Sequence, residues 1–125
     1  MPKKYTGPSE YKIQCSIFKW ADSMTYLHPE LYLLNGSANG SIVHVGTRVK
    51  CVKAGMKKGV YDIQLPVPKG KYHSLHVELK TEVGKASPEQ IEWGKALSHY
   101  GNYACICKGY DAAIDVILKY LLCKL

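Results

Sequence analysis

Two acids and a lysine carry the most chemical information in this sequence: Asp62 within Val60-Tyr61-Asp62-Ile63, and Glu78 and Lys80 within His76-Val77-Glu78-Leu79-Lys80. Successive side chains of a strand point to opposite faces, so Leu75, Val77 and Leu79 share one side of an extended segment while His76, Glu78 and Lys80 share the other. Asp62 is the only acid of the preceding apolar run, and a hairpin between the two segments sets its carboxylate beside that of Glu78. Two carboxylates packed together repel unless positive charge lies between them. A hard divalent cation is the economical source, because it accepts carboxylate oxygens, carbonyls, waters and a phosphate; magnesium fits best. Lys80 would then stand near a metal-held water, placed to orient a nucleophile or to offset charge building on a phosphate. This is the chemistry of phosphodiester hydrolysis. The pattern is short and common, and a solvent-facing ion pair between Glu78 and Lys80, with Asp62 in a turn, accounts for the same residues.

The elements that must position these groups are read from periodicity and punctuation. Ser9 is an N-cap for a helix over 10–24, whose apolar face is Ile13, Ile17, Trp20, Ala21 and Met24. At 100° per residue Glu10 falls within the stripe of Ile13, Ile17 and Ala21, and a carboxylate aimed inward needs a partner. The apolar run 31–34 reads as a short strand and the turn formers of 35–40 as a loop. Over 42–54 a stripe of Val45, Val49 and Val52, closed by Gly55, favours a helix. Residues 60–65 and 73–80 read as a hairpin joined by a turn holding Pro66, Pro68 and Gly70. Ser87-Pro88-Glu89-Gln90 is a helix start with serine at the cap and glutamine at the capping-box position, and the helix should end near Gly101. A mostly apolar strand over 103–108 follows. Asp111 then caps a last helix with Ile114, Ile117, Leu118 and Leu121 inward. The order is α-β-α-β-β-α-β-α.

With 125 residues the chain suits a single domain, 1–125, with a real core. It lacks a long apolar stretch and an apolar leader, which makes a soluble, cytoplasmic protein the default. Cys15, Cys51, Cys105, Cys107 and Cys123 form an odd set without zinc-site spacing, and Cys105 and Cys107 read as buried free thiols on a strand. The formal charge of +7 is nearly all lysine, with Arg48 the sole arginine, and suggests a polyanionic partner.

The sequence also resembles the virus-type replication-repair nuclease (VRR-NUC) domains of the PD-(D/E)XK superfamily along nearly its whole length. The resemblance runs through Ser9-Glu10 with Ile13-Gln14, then Gly55 and Gly59-Val60-Tyr61-Asp62, then Glu78-Leu79-Lys80-Thr81, then Gly84-Lys85-Ala86-Ser87-Pro88-Glu89-Gln90. The family often has proline before the first acid, where this chain has Tyr61. The resemblance implies a restriction-endonuclease-like α/β core, a mixed sheet flanked by helices. It also implies that Asp62, Glu78 and the Leu79 carbonyl bind Mg2+, with Mn2+ as a substitute, and that Lys80 serves the attacking water. Glu10 would complete the metal shell directly or through water. Gln90 would be an active-site glutamine, while its local reading is a capping-box side chain tied to Ser87. Short stand-alone members resemble virus-encoded homodimers that resolve four-way (Holliday) junctions, which implies a DNA partner and, for a virus-encoded chain, the host cytoplasm.

Lys85, Arg48, Lys57 and Lys58 flank the motifs and are candidates for DNA phosphates, Lys85 first because it lies between Lys80 and Gln90. His76 shares the face of Glu78, although a histidine ending a buried strand face is the plainer account. Two other functions use the same residues differently: a nuclease that nicks flaps or duplex, and a non-catalytic basic module that binds nucleic acid.

Overall fold

A computed structural model of the chain describes residues 4–37 and 45–125. Helix α1 spans Glu10–Met24, strand β1 Asn35–Gly36, α2 Val45–Lys53, β2 Ile63–Leu65, β3 Leu75–Lys80, α3 Pro88–His99, β4 Tyr103–Lys108 and α4 Tyr110–Leu121. The strands form one sheet in the order β1-β2-β3-β4, antiparallel except for the parallel β3–β4 pair. Parallel neighbours need a crossover, and α3 supplies it.

One face of β3 explains the core. Leu75, Val77 and Leu79 are fully buried and cluster with Ile13, Ile17 and Ala21 of α1 and with Ala113, Ile117, Tyr120 and Leu121 of α4. Each such aliphatic side chain contributes roughly 1.5–3 kcal/mol on leaving water. Tyr120 enters this apolar cluster because its hydroxyl donates to the Val67 carbonyl at 2.6 Å, so no buried donor is left unmet. Helix α3 adds no residue to the cluster; it lies toward the side of β3 that carries Glu78.

The α1 bounds are those its periodicity predicts, and Ser9 Oγ accepts from Lys12 N at 3.2 Å. The α3 capping box forms in both directions, worth about 1 kcal/mol at such a cap. Several readings change. The 31–34 strand is instead the end of a 3-10 turn over Pro29–Leu33, opened by proline; Leu31 and Leu34 are buried three residues apart, the repeat of that turn. The strand falls one step later at Asn35–Gly36, inside what reads as a loop. The hairpin strands are shorter than predicted, starting at Ile63 and Leu75, because Asp62 sits in a bend. Val49 and Val52 of α2 are 53% and 56% exposed, so that stripe is not core; predicted helix positions 42–44 and loop positions 38–40 lie outside the described residues. At α4 the cap is Gly109, at φ 89°, with Asp111 in the first turn. Its buried positions include Ala113 and Tyr120, while Ile114 and Leu118 are half-buried. All five cysteines are free; Cys107 is buried and Cys105 half-buried.

Candidate active site

The β2–β3 register pairs Ile63 with Val77, and one further step sets Asp62 opposite Glu78. The hairpin therefore performs the juxtaposition that the alternation predicts. Asp62 is pinned by its Oδ2, which accepts from the Leu79 backbone N at 2.9 Å. Its own carbonyl accepts from Ser37 N at 2.8 Å, which fastens the chain after β1 to the acid.

Glu78 is 2% exposed and is the buried charged residue among the described residues. Its Oε2 accepts from Gln90 Nε2 at 3.0 Å, while its Oε1 is buried with no hydrogen-bond partner. Burial, and then the nearby Asp62 carboxylate, push the Glu78 carboxyl up to about 8, against the opposing pull of Lys80. An acid held in this way stays protonated at neutral pH unless a cation replaces the proton.

Lys80 is that region's resident cation. Its side chain is 12% exposed, with Nζ 3.5 Å from Glu78 Oε2 and 3.7 Å from Glu10 Oε1. Glu10 does turn toward the site from the first turn of α1, yet its side chain is 47% exposed and meets the lysine. The β3–α3 loop turns back beside this lysine at Gly84, whose N donates to the Thr81 carbonyl at 3.1 Å.

One Gln90 amide both closes the α3 capping box and reaches the Glu78 carboxylate. Oε1 accepts from Ser87 N at 2.9 Å, closing the capping box, and Nε2 donates to Glu78. The cap fixes the amide plane, and the fixed plane aims the donor at the carboxylate.

A hard cation suits this donor set on three grounds. Glu78 Oε1 is an orphaned buried acceptor, the nearby Asp62 carboxylate raises the proton affinity of Glu78, and the acids offer oxygen donors of the kind a hard cation takes. No group of three or more His, Cys, Asp or Glu is placed to hold a metal among the described residues. Magnesium does not need one, because it usually takes one or two carboxylates and completes its shell with water and phosphate.

The other candidates are more dispersed. Lys85 is exposed in the loop between Lys80 and Gln90, Arg48 is exposed on α2, and Lys57 and Lys58 line a groove against Trp93 of α3. His76 Nε2 lies 2.8 Å from Ser74 Oγ at the start of β3, and burial lowers its pKa.

Sequence reasoning missed the role of Tyr61. This residue is buried and its hydroxyl packs against Gly94 of α3, where any Cβ would collide with it. A glycine in mid-helix costs about 1 kcal/mol relative to alanine, which was the available signal of a close approach. Tyr61 thereby braces the residue before the first acid against the helix that carries Gln90.

Comparison with known proteins places this geometry. No family model and no curated protein matches the chain. One solved structure, described as a VRR_NUC domain protein, superposes with a TM-score of 0.80 at 26% sequence identity, covering 93% of this chain and 90% of that one. No helix among the described residues is long and apolar enough to cross a membrane. With the mixed sheet between helices and the Asp62, Glu78 and Lys80 cluster on its central hairpin, the superposition supports the VRR-NUC identification and shows the restriction-endonuclease-like α/β fold.

Proposed function

We propose that this domain is a metal-dependent nuclease that hydrolyses phosphodiester bonds in DNA. The observation that carries the reading is Glu78: a buried acid with one oxygen unpartnered, facing a second acid and 3.5 Å from Lys80. Burial of that kind is costly, and a site that binds a cation recovers the cost only when loaded. Asp62, Glu78 and the Leu79 carbonyl would hold Mg2+, or Mn2+ in its place, with Glu10 joining directly or through water. The ion, when bound, would supply Lewis-acid polarisation of the phosphate and a more acidic water.

The chain's own residues do the remaining work. Lys80 Nζ lies between Glu78 and Glu10, where it can orient the attacking water and offset negative charge growing on the phosphate. Gln90 holds the Glu78 carboxylate in one rotamer through Nε2. Asp62 is held by the Leu79 amide, so the two acids present a fixed pair of oxygens rather than a mobile one. By the resemblance to VRR-NUC domains, in-line attack would expel the 3′ oxygen and leave a 5′-phosphate and a 3′-hydroxyl. Lys85, Arg48, Lys57 and Lys58 would steer the DNA backbone, which makes affinity fall as salt rises.

By likeness to short VRR-NUC domains, we place the substrate as a four-way junction and the working form as a cytoplasmic homodimer, since two active sites suit symmetric nicking. The test is a magnesium titration of wild type and Lys80→Ala on matched four-way junction, flap and linear duplex. Paired nicking confined to the junction and lost in the variant supports the whole reading. Equal cutting of all three keeps the nuclease and removes the junction. Binding without cleavage under any divalent metal replaces the nuclease by a binding module.

A further inference from the structure

Beside the acid pair lies a recess that none of the chemistry above uses. The register pairs Gln64 with His76, two residues along from Asp62 and Glu78, or roughly 7 Å along the strands. His76 and Glu78 share a face of β3, so the recess opens on the acids' side. It is a cavity of about 120 Å3 lined by Tyr61 and Trp93 as aromatic walls and by Asn35, Ser37, Gln64 and His76 as polar groups.

Its placement is rigid. Gln64 Nε2 donates to Asn35 Oδ1 at 3.0 Å, and Ser37 Oγ donates to the Tyr61 carbonyl at 3.0 Å. Ser37 N is bonded to the carbonyl of Asp62 itself, which ties the rim of the recess to the first acid.

The lining selects among ligands. Among the described residues it contains no lysine or arginine, which disfavours a phosphate. Amide, hydroxyl and imidazole groups both donate and accept, the pattern that matches the hydrogen-bonding edge of a nucleobase, and aromatic walls suit its π face. A cavity on the order of 150 Å3 holds one benzene ring. A recess of this order, open on one side, seats the ring of a single-ring base and is too small for a two-ring base or a base pair.

We propose that this cavity is a subsite for one unpaired pyrimidine base of the substrate strand, next to the phosphate held at Asp62 and Glu78. The phosphate placement rests on the nuclease reading; the base recognition rests on the cavity alone. The subsite would make the domain prefer DNA with an unpaired or extrudable pyrimidine at the cleavage point, because a paired base keeps its edge occupied.

The experiment measures binding without divalent metal, so that no strand is cut. Branched DNA carries a fluorescent cytosine analogue, unpaired at the branch, with an abasic site or a purine at the same position as comparison. Wild type should change the analogue's emission and bind the pyrimidine about tenfold or more tightly than the abasic site, in the range that base stacking supplies, while a purine gains nothing. Gln64→Ala, at an exposed position, should lose most of that preference with an unchanged circular dichroism spectrum; Trp93→Ala should lose it further. Equal affinity for pyrimidine and abasic DNA, an equal gain from a purine, or full preference in folded Gln64→Ala overturns the subsite. A parallel cleavage assay of wild type and Lys80→Ala with magnesium added separates the two readings. Base preference without cleavage by any protein removes the nuclease and keeps the subsite, whereas cleavage that Lys80→Ala abolishes, with no base preference, does the reverse.

Discussion

The two faces of β3 differ in everything except their backbone. On one, Leu75, Val77 and Leu79 are fully buried among aliphatic side chains, and each stabilises the fold in proportion to the area it removes from water. On the other, His76, Glu78 and Lys80 occupy polar surroundings; Glu78 is buried without full hydrogen bonding. Six consecutive residues thus serve stability and chemistry on alternate positions. The contrast teaches that the buried acid is kept at the expense of stability, since nothing apolar is gained by placing a carboxyl there.

Four measurements break or sharpen that contrast, in falling order of effect. Lys80→Ala should cut cleavage by a factor on the order of 10²–10³, the size of losing a charge-stabilising group, with a denaturant midpoint near that of wild type. Active, folded Lys80→Ala would erase the division between the faces. Leu79→Ala, one residue away on the core face, should lower unfolding free energy by about 2–5 kcal/mol, read from urea titration. A loss well below that range would show that the core tolerates the cavity.

The third concerns pH. Because the folded Glu78 carboxyl titrates near 8 rather than near its ordinary 4.5, the folded state holds its proton more tightly than the unfolded chain. Its stabilising contribution is complete below about pH 4.5 and is lost as pH rises through about 8. Tm of the metal-free protein should therefore fall across that window. Glu78→Gln should flatten the fall, and magnesium should raise Tm most at its alkaline end. An unchanged profile in Glu78→Gln would assign the pH dependence elsewhere. The smallest effect is at the α3 cap: Ser87→Ala should cost about 1 kcal/mol, and cleavage should drop modestly because Gln90 loses its anchor. A stability loss with no change in cleavage would reduce Gln90 to a cap.

The legible parts of the molecule are those with local causes. The bounds of α1, the capping box of α3 and the strand Tyr103–Lys108 follow from periodicity and caps within the segment itself. Residues 31–36 depart from their sequence pattern because Leu31 and Leu34 satisfy a 3-10 repeat that an apolar run of that length does not distinguish from a strand. Asn35 and Gly36 have turn propensity, yet pairing with Gln64 and Ile63 overrides it. The exposed valines of α2 show that a helical stripe in sequence does not guarantee a surface to cover it.

The sequence by itself determined the residue types, their alternation on β3 and the helix starts, because covalent geometry and local hydrogen bonding act within a few residues. Only the tertiary structure decided that Glu78 is buried, that one Gln90 amide serves both the cap and the acid, that Glu10 meets Lys80, and that Tyr61 rests on Gly94. The reason is physical. Desolvation and ion pairing depend on what other segments bring within a few ångströms, and sequence spacing does not contain that distance.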